Sequence, residues 1–131
     1  PTILFEAHQF SRRTGRIYDQ SHPNISSRTW NRRLYAGGAG EYPRLDAAIA
    51  HNRDAALQAA SWGRLQIMGF NYRRAGYANV EDFVTAMRSS ERGQLDAFSS
   101  FIRTDPSLHR ALEQIHRCYS QPQSRMAISG C

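Results

Sequence analysis

Apolar positions are sparse and irregular up to Gly40 and recur at helical spacing beyond it. Tyr42, Leu45 and Ile49 share one helical face, with Pro43 accommodated in the first turn. Asp54 is placed to cap a second short helix running through Ala60. Asn79 followed by Asp82 has the form of a capping box, opening a helix with Val80, Phe83, Val84 and Met87 inward. Leu95, Phe98, Phe101 and Ile102 mark a further helix. Asp105-Pro106 starts the last one, carrying Leu108, Leu112 and Ile115. Each stripe is expected to be packing surface.

The N-terminal third reads differently. Ile3-Leu4-Phe5 is a short apolar run, followed by a helix near Ala7–Thr14 that Gly15 would end. From 17 to 40 the chain turns to Ser, Asn, His, Pro and Gly, a polar loop with room for short strands and with Trp30 and Tyr35 as anchors. A loop that long in a compact domain is usually functional. After Arg117 the periodicity stops, and Cys118–Cys131 reads as loop or frayed end. The expected architecture is one mainly α-helical domain over 1–117 with a divergent tail at 118–131.

Composition narrows the class. A chain of 131 residues supports one core, and 40% hydrophobic with 21% charged residues excludes wholesale disorder. No apolar run approaches the ~20 residues of a membrane span. Pro1–Glu6 lacks the pattern of a secretory leader, so no signal peptide is expected. All 17 basic residues are arginine, for a net charge of +6. They occur as scattered pairs, which suits a solvated surface that also attracts polyanions. Composition alone therefore keeps an arginine-rich nucleic-acid binder open, although no reading helix or aromatic-basic sheet motif supports it. Neither the five histidines nor Cys118 and Cys131 show metal-ligand spacing, so no metal and no cofactor are expected. A disulfide closing the tail and two free thiols both remain open, the free thiols being the plainer reading.

The most unusual segment runs from Ala60 to Asn71, where Gly63 and Gly69 bracket an apolar run holding Gln66. It reads either as a tight helix–helix connection or as the floor of a cleft. Ser61-x-Gly63-x-x-Gln66-Ile67-Met68 resembles the Ser-x-Gly-x-x-Gln motif of lysozyme-like folds. Further segments accompany it in order: Ile3-Leu4-Phe5-Glu6-Ala7-His8, Tyr18–Pro23, Glu41–Leu45, Ala59–Gly69, Asn71-Tyr72, then Ser90-Glu91 with Gln94-Leu95. Together they cover residues 1 to about 115 and resemble the N-acetylmuramidase catalytic domains of phage and prophage endolysins. The resemblance implies a lysozyme-like helical fold, a peptidoglycan glycan-strand substrate, action on the cell wall after release, and a monomer without cofactors.

Cleaving a muramyl–glucosaminyl bond needs a carboxylic acid that donates to the leaving oxygen. Glu6, in a clearly apolar segment, is the candidate acid; a structural carboxylate paired with an arginine is its alternative. Asp19 and Glu41 are the candidate second carboxylates, each of which also suits a loop-ordering or helix-terminal role. Trp62 and Tyr72 are candidates to stack on sugars, Gln66 and Asn71 to bond acetamido groups, and His8 and Ser61 to line the site. Two departures qualify the resemblance. The family's Val-Glu-Ser helix end precedes the segment at which this chain begins. Its closing Tyr-Asn-Gly is replaced by Cys118-Tyr119-Ser120-Gln121. The expectation is therefore a muramidase weak in isolation, with a glycan-binding remnant as the alternative.

Overall fold

The computed structural model describes residues 1–120, so expectations for 121–131 lie outside it. The domain is mainly helical, as the periodicity predicts. Its order is β1 (Ile3–Phe5), α1 (Ala7–Arg13), two single 3-10 turns at Arg32–Leu34 and Gly38–Gly40, α2 (Glu41–His51) and α3 (Arg53–Gln58). Then come β2 (Ala60–Trp62), β3 (Ile67–Met68), a 3-10 turn at Gly69–Asn71, α4 (Val80–Ser89), α5 (Glu91–Arg103) and α6 (Pro106–Ser120). Among the described residues, no helix is long and apolar enough to cross a membrane.

The core lies where the small sheet meets α1 to α4. Ile3 and Phe5 of β1, Phe10 of α1, Leu45 and Ala48 of α2, and Val80, Phe83, Val84 and Met87 of α4 are all buried in it. Asn79 caps α4 by accepting from Asp82 N, as its spacing predicts. The cap of α3 is corrected. Asn52, not Asp54, accepts from Ala55 N. Asp54 instead takes a bond from Gln58 Nε2 one turn on. The Asn52 backbone is extended, and that fits the cap position.

A three-stranded antiparallel sheet, ordered β1-β2-β3, occupies the segment that alone reads as a helix connection or cleft floor. Ile3 pairs with Trp62 and Phe5 with Ala60; Trp62 also pairs with Ile67. Strands of two and three residues are too short to show alternation, so only pairing reveals them. The glycines are explained by this hairpin. Gly63 sits at φ +76°, the left-handed region, while at Gly69 a Cβ would stand 2.0 Å from Leu57 O, where α3 passes over the hairpin.

Helices α5 and α6 pack less completely. Of α5 only Ala97 is buried, α6 has no buried residue, and Leu95 and Ile115 are 56% and 51% exposed. The apolar stripes there border an open groove of about 550 Å³ that includes Ile102 and Leu112. The cause is layering: α6 packs mainly on α5, so half of its stripe faces outward. α6 also continues to Ser120, past the point where periodicity fades, and Cys118 is disulfide-bonded, so the plainer expectation of free thiols does not hold there.

Candidate active site

Eleven carboxylates are distributed over the described residues, and burial sorts them. Seven are exposed; Glu41 is buried; Glu6, Asp19 and Asp105 are half-buried. Asp105 is occupied in starting α6, its Oδ1 accepting from Ser107 N and Leu108 N. Glu6 and Asp19 remain as carboxylates that are both sheltered and reachable.

Glu6 is placed by the end of β1. Its backbone N–H donates to Ala59 O at 3.0 Å, and its own carbonyl accepts from Gln9 and Phe10 at the start of α1. One carboxylate oxygen, Oε2, has two close polar neighbours. The Tyr35 hydroxyl donates to it in a short hydrogen bond, and His8 Nδ1 lies 3.4 Å away. Burial, and then the bond to Glu6, push the Tyr35 pKa up to about 12, so this residue is a permanent donor near neutral pH.

The tautomer of His8 follows from its neighbours. Arg13 donates to Gln9 Oε1 at 2.8 Å, which turns the Gln9 amide nitrogen toward His8 Nε2 at 3.3 Å. Nε2 then accepts, and Nδ1 carries the hydrogen that faces Glu6. Glu6 Oε2 thus accepts from Tyr35 and lies at ion-pair distance from His8, while Oε1 has no hydrogen bond among the described residues. Such a carboxyl is oriented and still has one oxygen free to face a substrate oxygen.

Asp19 lies in the loop after α1, held by Ser26 Oγ at 2.5 Å. The loop is pinned from several sides. Tyr18 stacks on Phe10, His22 and His51 meet at 4.2 Å between ring centroids, and Ser27 N donates to Ala7 O. This brings the Asp19–Ser26 pair to the start of α1, beside the element that carries Glu6.

Glu41 is inside the protein, not on its surface. Its Oε1 accepts from Ala36 N at 2.7 Å and Gly37 N at 2.9 Å; its Oε2 accepts from Phe5 N at 3.2 Å and from Arg44 at 2.8 Å. Burial pushes its pKa up, but the backbone N–H groups of Gly37 and Phe5, the Arg44 charge and the Ala36 N–H outweigh it and hold the carboxyl below the ordinary range. Arg44 in turn donates to Phe5 O and Asn24 O. The pair therefore ties β1, the loop at Asn24 and the segment at 36–37 together. Those are the elements that carry Glu6 and Tyr35.

The Ser-x-Gly-x-x-Gln motif is a hairpin clasp. Ser61 Oγ donates to Gln66 Oε1 at 2.6 Å, and Gln66 Nε2 donates to Gly63 O at 2.7 Å and Thr2 O at 3.3 Å. Gln66 adopts φ 50° to make that turn. It stands at the Thr2 end of β1, whereas Glu6 is at the other end, roughly 13 Å along the strand at ~3.3 Å per residue. The structure does not bring the two together. Trp62 is 1% exposed and donates Nε1–H to Leu57 O, so its ring belongs to the core and presents no face to a sugar. Trp62→Ala should cost about 3–5 kcal/mol of stability through the cavity left behind, read as a lower denaturant midpoint. Asn71 and Tyr72 are half-buried beyond β3, and neither shares a hydrogen bond or ring contact with Glu6, His8 or Tyr35. Tyr35 is the partner that sequence reading of catalytic types missed. Its position in the long polar loop was the available signal. Among the described residues, no group of three or more His, Cys, Asp or Glu side chains is gathered as a metal site requires.

Comparison with known proteins adds to this geometry. A family model described as N-acetylmuramidase matches residues 1–121. The crystal structure of the Burkholderia AP3 phage endolysin is similar at 40% sequence identity, with a TM-score of 0.75. That match covers 80% of this chain and 41% of the endolysin, so the chain spans less than half of that protein's length. Comparison with curated proteins gave no match.

Proposed function

The chain belongs to the N-acetylmuramidase family, and from that premise we propose that it hydrolyses the bond between N-acetylmuramic acid and N-acetylglucosamine in peptidoglycan, with Glu6 as the carboxyl that passes a proton to the leaving oxygen. The observation that supports the site assignment is the Tyr35 hydrogen bond to Glu6 Oε2, with His8 at ion-pair distance from the same oxygen and Oε1 without a hydrogen bond among the described residues. Leaving-group protonation requires a carboxyl held in a fixed orientation; alignment alone contributes ~7–11 kcal/mol in favourable cases. Asp19 is the candidate second carboxylate, to orient water or to stabilise the oxocarbenium-like transition state. Glu41, Trp62 and the Ser61–Gln66 clasp act as scaffold. The catalytic unit is taken as 1–117, with 118–131 as an appended tail, and its place of action is the wall of a bacterium after release from the cytoplasm.

A zymogram on purified peptidoglycan tests the activity. A cleared band with new reducing ends supports it; binding without reducing ends supports the glycan-binding remnant. Tyr35→Phe tests the positioning. Hydrogen bonds to charged groups contribute about 1.5–3 kcal/mol, so kcat should fall roughly ten- to hundredfold with KM and melting temperature little changed. A change confined to KM would assign Tyr35 to substrate contact instead.

A further inference from the structure

The segment 28–35 carries a cluster of charge that folding does not use. Arg28, Arg32 and Arg33 are exposed, and none of their guanidinium groups makes a hydrogen bond or ion pair with the described residues. Arg13, Arg44, Arg53, Arg64, Arg74 and Arg92 have partners of that kind; other exposed arginines lack them too, but only this segment holds three such side chains within six described residues. Backbone contacts order the segment. Asn31 Oδ1 accepts from Arg33 N, Tyr35 N donates to Arg32 O, and Ser27 Oγ donates to Thr29 O. Trp30, 60% exposed, lies against the Tyr35 ring at 6.4 Å between centroids. No acidic residue occurs between Asp19 and Glu41; Asp19 is engaged by Ser26 and Glu41 is saturated inside. The result is an ordered, unneutralised cationic lip, bonded through Tyr35 to Glu6.

The charge of the proposed substrate indicates what this lip would meet. Where a stem is attached, the lactyl carboxyl of muramic acid is tied up as an amide, so the sugar chain itself gives guanidinium groups no carboxylate to pair with. The stem peptide, attached to the muramic acid beside the bond to be cut, carries free carboxylates. Guanidinium forks match carboxylates in geometry, and an exposed indole beside them suits an apolar sugar face. Resting on the reading of Glu6 as the reacting carboxyl, we propose that Arg28, Arg32, Arg33 and Trp30 form a subsite for the carboxylates of the stem peptide, making peptide-bearing peptidoglycan the preferred substrate over bare glycan. The same chemistry would attract phosphates or nucleic acid. Proximity to Glu6 favours the stem.

The test compares intact sacculi with the same glycan strands stripped of stem peptides by an amidase and capped as methylamides at the lactyl carboxylates so exposed, using the 131-residue chain. Co-sedimentation reads binding directly, and reducing-end release reads turnover. Sacculi should be bound and cleaved with roughly tenfold lower Kd and KM than stripped strands, the scale of a few exposed ion pairs acting together. The difference should shrink in 0.5 M salt, a test that needs no variant. The triple variant Arg28→Gln/Arg32→Gln/Arg33→Gln should bring the two substrates to the same Kd. Equal binding of both by the unaltered chain would overturn the inference, as would a preference that survives the triple substitution. Displacement from sacculi by polyphosphate or duplex DNA, but not by free stem peptide, would also overturn it in favour of a general polyanion surface. Absence of cleavage with the sacculus preference intact would sink the hydrolase reading and leave the subsite standing.

Discussion

Glu6→Gln is expected to abolish nearly all glycan cleavage while leaving the fold in place. The amide keeps the size of the side chain and can still accept from the Tyr35 hydroxyl, so β1 and α1 have no reason to move. What it cannot do is deliver a proton. Loss of a general acid commonly lowers the rate about 10²–10⁴-fold. Stability should change by no more than roughly 0.5 kcal/mol, because the amide oxygen keeps the Tyr35 bond and only the ion pair with His8 is lost. Reducing-end assays alongside thermal melts make the comparison. Turnover that survives the substitution would remove Glu6 from the reaction and turn attention to Asp19. A variant that loses activity and also melts early would show that Glu6 is first a structural carboxylate, the alternative its sequence setting leaves open.

A loss of stability as large as that of Trp62→Ala is expected at Glu41. Glu41→Ala strands the Arg44 charge inside the protein and deprives the N–H groups of Phe5, Ala36 and Gly37 of their acceptor. Breaking a buried pair from one side costs about 3–5 kcal/mol, much of the ~5–15 kcal/mol that holds a typical domain. Since the same bonds position β1 and the segment before Gly38, cleavage should decline along with stability. The pH dependence has a definite sign. The folded pKa of Glu41 lies below its unfolded value, so its contribution is full above the ordinary ~4.3 of a glutamate and is lost as pH falls through the folded value. Urea midpoints should therefore drop more steeply for the native chain than for Glu41→Gln as the solution is acidified below that range. Parallel curves would assign the acid sensitivity to another group.

The two carboxylates show why the sequence could nominate candidates but not separate their roles. Both occupy family-like segments, and although the apolar setting of Phe5-Glu6-Ala7 singles out Glu6, the local pattern leaves a structural role open for it as for Glu41 in Gly40-Glu41-Tyr42. The difference lies in what comes back from elsewhere in the chain. Glu41 receives Phe5 N from 36 residues away, and Glu6 receives Tyr35 from 29 residues away. Trp62 follows the same logic. An aromatic beside glycine reads equally as platform or core until β1 covers it.

Periodicity by itself determined most of the helical framework. α1, α2, α4, α5 and the start of α6 follow from apolar spacing and from caps such as Asn79 and Asp105, because helix geometry is set by neighbours three and four residues apart. The ordered motifs were likewise sufficient to indicate the family before any coordinates. Only the tertiary structure decided the β1-β2-β3 sheet, the exchange of Asp54 for Asn52 as a cap, the half-covered faces of α5 and α6, and the enclosure of Glu41. Each of these depends on contacts between residues distant in the chain. A carboxylate's burial, its donors and its free oxygen are properties of those contacts, so the different settings of Glu6 and Glu41 could emerge only after folding.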